Sequence, residues 1–134
     1  MDELIRKAID FAVSKHEKQL DDSGYDYFEE HIFKVAKGVS VFTSDPEVIA
    51  SAMLHDTLED TDTTREELIE YFGENVAGLV QEVTKSGHNT FSNLHSRDAI
   101  LIKLIDRASN VSRMDPWTNK RKEKYLEESR FWNR

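Results

Sequence analysis

Apolar residues recur at helical spacing along almost the whole chain. Leu4, Ile5, Ala8, Ile9, Ala12 and Val13 follow the i, i+3, i+4, i+7 pattern of an amphipathic helix, predicted over residues 3–19 with Asp2 as its N-cap. The run Asp21-Asp22-Ser23-Gly24-Tyr25 breaks that pattern. A second helix over 29–43 turns Ile32, Val35, Ala36, Val39 and Phe42 inward and carries His31 near its start. Asp45-Pro46 pairs a capping side chain with proline at the first helical position, which predicts a helix running on through His55-Asp56 with Val48, Ile49, Ala52 and Met53 toward the core.

The stretch Thr64-Arg65-Glu66-Glu67 has the form of a capping box, and Gly73 is placed to end the helix it starts by taking a positive φ. Further helices are expected over 74–84, 94–113 and 119–131, the last two separated by Asp115-Pro116-Trp117. Residues 85–93 are polar and poor in helix formers, so they read as a loop over the site. No segment sustains a period of two, and no repeat, linker or low-complexity tract interrupts the chain. The expected architecture is all-α, a single-domain helical bundle spanning residues 1–134.

Composition narrows the function more than the fold. With 134 residues the chain is large enough for a core without staples, and the absence of cysteine excludes disulfides, thiolate catalysis and Cys-ligated zinc. The formal charge of −8 argues against broad nucleic-acid binding, which depends on Lys and Arg meeting phosphates. A small phosphorylated ligand stays compatible with it, because a metal ion and a few local cations neutralise phosphates inside a cleft. Lys103, Arg107 and Arg113 flank Asp106 and are the candidates, with a solvated helix surface as the plainer alternative for each. No apolar run approaches the ~20 residues of a membrane helix, and the N-terminus does not resemble a signal peptide. A soluble, cytoplasmic protein is the expectation, with the oligomeric state undetermined.

The most informative chemistry is in Met53-Leu54-His55-Asp56-Thr57-Leu58-Glu59-Asp60-Thr61-Asp62. A neutral imidazole beside a carboxylate is a natural ligand pair for a divalent ion, and a continuous helix would bring Glu59 onto the face of His55. Adjacent ligands do not fill a coordination shell, so the fold must bring in others, and His31 and Asp106 are the candidates. Taken singly, each is more often a solvated or hydrogen-bonded side chain than a ligand. Together they form a mixed nitrogen and oxygen shell suited to Mn²⁺, Fe²⁺, Co²⁺ or Zn²⁺. Open coordination positions imply catalysis, with Glu59 or Asp60 orienting a water and handling its proton. Asp56, Glu59, Asp60 and Asp62 fall where a helix is expected to end, opposing the macrodipole and one another unless a cation is present. His16 reads as a surface residue of the first helix. Trp117, Phe131 and Trp132 are expected to pack the last helix against the bundle or a second subunit.

The order His31, His55-Asp56, Asp106 resembles the His…His-Asp…Asp pattern of the HD superfamily of metal-dependent phosphohydrolases. The run from His55 through Asp62, continued by Tyr71-Phe72-Gly73 and by Lys103-Leu104-Ile105-Asp106-Arg107-Ala108-Ser109-Asn110, is similar to the hydrolase domain of RelA/SpoT proteins and stand-alone small alarmone hydrolases. The resemblance covers about residues 1–114 and implies a helical HD-type bundle that removes pyrophosphate from the ribose 3′ position of guanosine tetra- or pentaphosphate, with one Mn²⁺ per chain. It assigns His31, His55, Asp56 and Asp106 to the metal and Glu59 and Asp60 to the attacking water. Asn110 would lie close to the ribose, and Lys103, Arg107 and Tyr27 would complete substrate binding. The chain departs from the family where an Arg-Lys pair usually precedes Gly-x-Pro-Tyr, since Leu20-Asp21-Asp22 stands there. Ile32 replaces the usual proline after the first histidine, and less helix follows Trp132.

Two alternatives stand beside this reading, the first an HD phosphohydrolase or binuclear phosphodiesterase acting on another nucleotide. His88 and His95 lie between the His-Asp pair and Asp106, where binuclear HD phosphodiesterases carry extra histidines. A nucleotide-binding or interaction protein that kept the ligand shell without turnover is the other.

Overall fold

A computed structural model describes residues 2–85, 94–114 and 116–128, and among these every regular element is a helix. In chain order they are α1 (Glu3–Lys15), a short π-helical segment (Phe28–Ile32), α2 (Phe33–Phe42), α3 (Pro46–Met53), α4 (Thr57–Asp60), α5 (Arg65–Phe72), α6 (Glu74–Val83), α7 (Arg97–Val111) and α8 (Asn119–Glu128). The caps follow the sequence signals. The Asp2 carboxylate accepts from the amides of Leu4 and Ile5, Asp45 accepts from Glu47, and Thr64 accepts from Glu67; the helix expected from residue 94 instead starts at Arg97, capped by Ser96, which accepts from Ala99. Gly73 takes φ 92°, a region that favours glycine, and joins α5 directly to α6.

Two helices differ from the sequence expectation where the chemistry lies. The helix begun at Pro46 stops at Met53, and Leu54–Asp56 form a turn before the four-residue α4. His55 Nδ1 is bonded to the Ala52 carbonyl oxygen at 2.7 Å and Thr57 Oγ1 donates to that of Leu54 at 2.7 Å, so side chains occupy carbonyls that a continuing helix would have used. Glu59 and Asp60 therefore lie in the first turn of a new helix and do not oppose the end of an old one. The second difference is at His31, which sits in a π-helical turn feeding α2. Such a widened turn shifts the side-chain register within an otherwise helical run.

The core is aliphatic and fine-grained. Ala8 and Ala12 of α1, Ala50 and Ala52 of α3, and Val35 and Val39 of α2 are fully buried where these three helices pack together. α2 also meets α7 closely enough that a Cβ on Gly38 would stand 2.8 Å from Ile105 Cγ2. The π-helical segment that feeds α2 also contacts α7, which brings His31 and Asp106 together. Before the π-helical segment, residues 16–27 form a tight hairpin: Leu20 and Asp26 make an isolated antiparallel bridge, the Tyr27 amide donates to the Gln19 carbonyl at 2.9 Å, and Gly24 adopts φ 87°. No helix among the described residues is long and apolar enough to cross a membrane. The polar stretch 86–93, including His88, lies outside the described residues, as do Phe131 and Trp132.

Candidate metal centre

Four residues from three separate segments converge on one point. His31 from the π-helical segment, His55 and Asp56 from the turn after α3, and Asp106 from α7 are all buried, with one ligand atom from each lying within 4.8 Å of the others. His31 Nε2 is 2.9 Å from Asp106 Oδ1 and 3.5 Å from Asp56 Oδ2, and His55 Nε2 is 3.2 Å and 3.1 Å from the same two oxygens. The two Nε2 atoms are 3.2 Å apart.

Each ligand candidate has a second partner outside the four. His55 Nδ1 faces the carbonyl oxygen of Ala52, which only accepts, so Nδ1 carries a proton and Nε2 is the nitrogen turned inward. His31 Nδ1 meets the Ser109 hydroxyl at 3.0 Å. The Tyr27 hydroxyl donates to Asp56 Oδ2 at 2.6 Å, and Lys103 Nζ donates to Asp106 Oδ2 at 3.0 Å. This outer ring of bonds fixes the orientation of the inner one, as metal sites require.

The electrostatics call for a cation at the centre. Burial pushes the His55 imidazole toward neutrality, but the Asp56 and Asp106 carboxylates outweigh it and hold its pKa well above the ordinary value. Burial likewise opposes ionisation of Asp56 and Asp106, yet His55 and His31 against the first, and Lys103 and His55 against the second, hold both well below the usual carboxylate range. Two ionised carboxylates and two imidazoles converging on one point fit a divalent ion, which would take the place of the proton that the carboxylates otherwise hold on His55, with imidazole and carboxylate as borderline-to-hard donors.

Beside the four lies the acid pair. Burial and the neighbouring Asp56 charge raise the pKa of both Glu59 and Asp60 above the ordinary carboxylate values, which makes both better proton acceptors. Both line a cavity of about 200 Å³ that also receives Tyr27, Asp56, Asp106, Lys85, Lys103, Arg107, Asn110 and Tyr125. Lys103 and Arg107 are buried cations and not a solvated helix face: Lys103 is paired with Asp106, and the Arg107 guanidinium lies 4.1 Å from the centroid of the Tyr125 ring. Asn110 is oriented by Tyr125, whose hydroxyl accepts from Asn110 Nδ2 at 2.7 Å, and by Arg113, which donates to Asn110 Oδ1 at 2.7 Å.

The cavity opens into a wider groove of about 530 Å³ between the 16–27 hairpin and α8. The acidic pair Asp21-Asp22 lies here with its charge already met. Asp21 accepts from the amides of Ser23 and Tyr25 and from Arg113 at 3.3 Å, while Asp22 pairs with Arg121 at 3.1 Å and accepts from the Trp117 indole at 2.6 Å. Trp117 packs edge-on against Tyr125 and under the Arg121 guanidinium, which anchors α8 as expected of that residue.

Two histidines outside the centre separate clearly. His95 precedes α7 and is largely exposed, with Nδ1 2.7 Å from Glu82 Oε1, so it does not join the cluster. His16 is a correction: it is not on the surface but 1% exposed, packed 5.7 Å from the Tyr27 ring and bonded through Nδ1 to Gln19. Sequence reading also passed over Ser109, Gln19 and Tyr125. Ser109 was within reach, since it stands three residues after Asp106 on one helical face. Gln19 and Tyr125 carry no local signal.

Comparison with known proteins identifies the family. The HD-domain family profile matches residues 8–131. The guanosine-3′,5′-bis(diphosphate) 3′-pyrophosphohydrolase of Aquifex aeolicus is 37% identical over 140 residues, an alignment that takes in 95% of this chain and 20% of that protein. The Danio rerio protein of the same name, MESH1, is 37% identical over 143 residues and is 79% covered by a match to 92% of this chain. The chain thus spans about a fifth of one relative and most of the other. A solved structure of a metazoan ortholog of SpoT that hydrolyzes ppGpp superposes with a TM-score of 0.84 at 28% identity, over 97% of this chain and 83% of that one.

Proposed function

Because the chain belongs to the HD-domain family, we propose that it is a metal-dependent hydrolase that removes pyrophosphate from the ribose 3′ position of guanosine tetra- or pentaphosphate, with residues 1–134 acting as one HD-type unit. The observation that carries the reading is the convergence of two imidazole nitrogens and two carboxylate oxygens within 4.8 Å at the floor of a cavity carrying both an acid pair and buried cations. His31, His55, Asp56 and Asp106 are the ligands in this reading, and one Mn²⁺ is the preferred ion, with Fe²⁺, Co²⁺ and Zn²⁺ as alternatives. Such an ion supplies Lewis acidity at a phosphoryl oxygen and makes water acidic enough to act as a nucleophile.

The chain's own residues divide the remaining work. Glu59 and Asp60 hold the attacking water in line with the 3′ phosphorus and accept its proton, a task that their raised pKa values favour. The proton returns to the ribose 3′ oxygen as pyrophosphate leaves. Lys103 and Arg107 face the negative charge of the pyrophosphoryl group under attack. Asn110, held between Tyr125 and Arg113, presents its amide to the ribose. Tyr27 forms a wall of the cavity while its hydroxyl steadies Asp56. The names of the Aquifex aeolicus and Danio rerio relatives support the substrate, and the position of His95 against Glu82 favours one ion over two. A small nucleotide is the partner in this reading, without broad nucleic-acid binding and in a cytoplasmic setting.

The test is a panel of nucleotides incubated with Mn²⁺-loaded protein, with released phosphate and pyrophosphate measured separately. Guanosine tetraphosphate should yield pyrophosphate and guanosine diphosphate in equal amounts. Release of phosphate alone, or preference for a nucleotide lacking a 3′ pyrophosphate, would refute the assignment. Binding without turnover would instead select the nucleotide-binding alternative.

A further inference from the structure

The hairpin between α1 and the π-helical segment reaches both carboxylates that bracket α4. Tyr27 bonds Asp56, and Gln19 Nε2 donates to Asp60 Oδ2 at 3.3 Å. Behind Gln19, on its far side, His16 Nδ1 lies 2.7 Å from Gln19 Oε1. His16 Nε2 is buried and has no hydrogen-bond partner among the described residues. Neither His16 nor Gln19 has a place in the chemistry described above.

We infer that His16 and Gln19 are positioning residues that set the orientation of the Asp60 carboxylate. The inference rests on the role given to Asp60 in the proposed reaction. Its physical core is a question of which end of an amide points where. A glutamine side chain offers a carbonyl oxygen at one corner and an NH₂ group at the other, and the wrong orientation would aim the oxygen at the Asp60 carboxylate. If His16 carries its proton on Nδ1, it donates to Gln19 Oε1 and commits the NH₂ group to Asp60. That tautomer also leaves the buried Nε2 as a bare lone pair and not as an unmet N–H donor.

The chain of bonds runs from a rigid anchor to a reacting group. His16 is locked between helix and hairpin at 1% exposure, and the Tyr27 amide bond to the Gln19 carbonyl fixes the Gln19 backbone. Gln19 itself is half-buried and lines the groove, and Asp60 lines both groove and cavity. Only Oδ2 of Asp60 accepts a hydrogen bond among the described residues, which leaves Oδ1 for the nucleophile. Loss of the anchor lets the carboxylate rotate without removing it.

Two measurements test this. With guanosine tetraphosphate and Mn²⁺, Gln19→Ala should lower kcat roughly tenfold while KM and metal content stay within about twofold, the loss expected for one oriented hydrogen bond. His16→Ala should do the same, whereas His16→Asn, whose amide nitrogen stands near the position of Nδ1, should restore most of the rate. Asp60→Ala and the double variant Gln19→Ala/Asp60→Ala should be equally slow, since Gln19 acts through Asp60. Additive losses, a Gln19→Ala protein at the parent rate, or no advantage of His16→Asn over His16→Ala would overturn the positioning role. An Asp60→Ala protein at the parent rate would remove the role of Asp60 itself, and the inference with it. The second measurement needs no turnover: ¹⁵N NMR of labelled histidine, assigned with His16→Asn, should show His16 as the Nδ1–H tautomer and should change in Gln19→Ala. A proton on Nε2 overturns the inference even if the proposed substrate proves wrong.

Discussion

The metal centre and the groove beside it are built by opposite means. In the centre, every ligand candidate is buried and held by a second bond to a carbonyl, a hydroxyl or an ammonium, so its geometry exists before anything binds. In the groove, charged side chains satisfy one another across elements, Asp21 with Arg113 and Asp22 with Arg121, and the second pair is half exposed on both sides. A buried shell with fixed partners cannot lose a member without leaving charge uncompensated. A solvated pair exchanges partners at little cost. The centre should therefore respond steeply to substitution and the solvated Asp22–Arg121 end of the groove gently, although both line one continuous site.

The largest effect belongs to Asp106→Ala, which removes a ligand candidate and the buried carboxylate that accepts from Lys103. Metal content by mass spectrometry and hydrolysis should fall together, with a stability loss of about 3–5 kcal/mol in denaturant titration. Metal retained at the parent level would take Asp106 out of the shell. Next comes Glu59→Gln, where metal should persist and kcat should fall by about 10²–10⁴. Full turnover would end its role as a base. Tyr27→Phe deletes one bond to Asp56, and Mn²⁺ affinity measured by calorimetry should weaken about 10- to 100-fold.

In the groove, Asp22→Asn should change stability by less than about 1 kcal/mol, because the Asp22–Arg121 pair is solvated. It should lower KM a few-fold by removing an anion from the path of an anionic substrate. A loss as large as that of Tyr27→Phe would erase the contrast between the two regions. The smallest effect concerns acid stability. Burial pushes the Asp21 carboxyl up, but the Tyr25 and Ser23 amides and Arg113 outweigh it, so its folded pKa is lowered. Its contribution is then fully present above the unfolded value of about 3.9 and is lost as pH falls through the lower folded value. Melting temperatures recorded from pH 6 down to about 3 should fall less for Asp21→Asn than for the parent over that lower range.

The helices and their caps were legible in the sequence because they depend on neighbours three and four residues apart. Asp2, Asp45 and Thr64 cap as their spacing implies, and Gly73 turns the chain where only a residue without a Cβ does so freely. The ligand candidates were legible too, since His and Asp inside apolar runs have few other uses in combination. The break at Leu54–Asp56 was not, because side-chain hydroxyl and imidazole bonds to carbonyls compete with helix propagation at a level that periodicity does not register.

By itself, then, the sequence determined an all-α chain, its caps, and the set His31, His55, Asp56 and Asp106 with the acid pair beside it. Only the tertiary structure decided that these four meet within 4.8 Å, that Lys103 and Arg107 turn inward, that Asp21 and Asp22 are neutralised by Arg113 and Arg121, and that His16 is buried behind Gln19. The division has one physical cause. Helix periodicity and capping are short-range and are written in adjacent residues. The partner of a charge is chosen by packing between segments up to 99 positions apart, as from Asp22 to Arg121, and no local pattern encodes it.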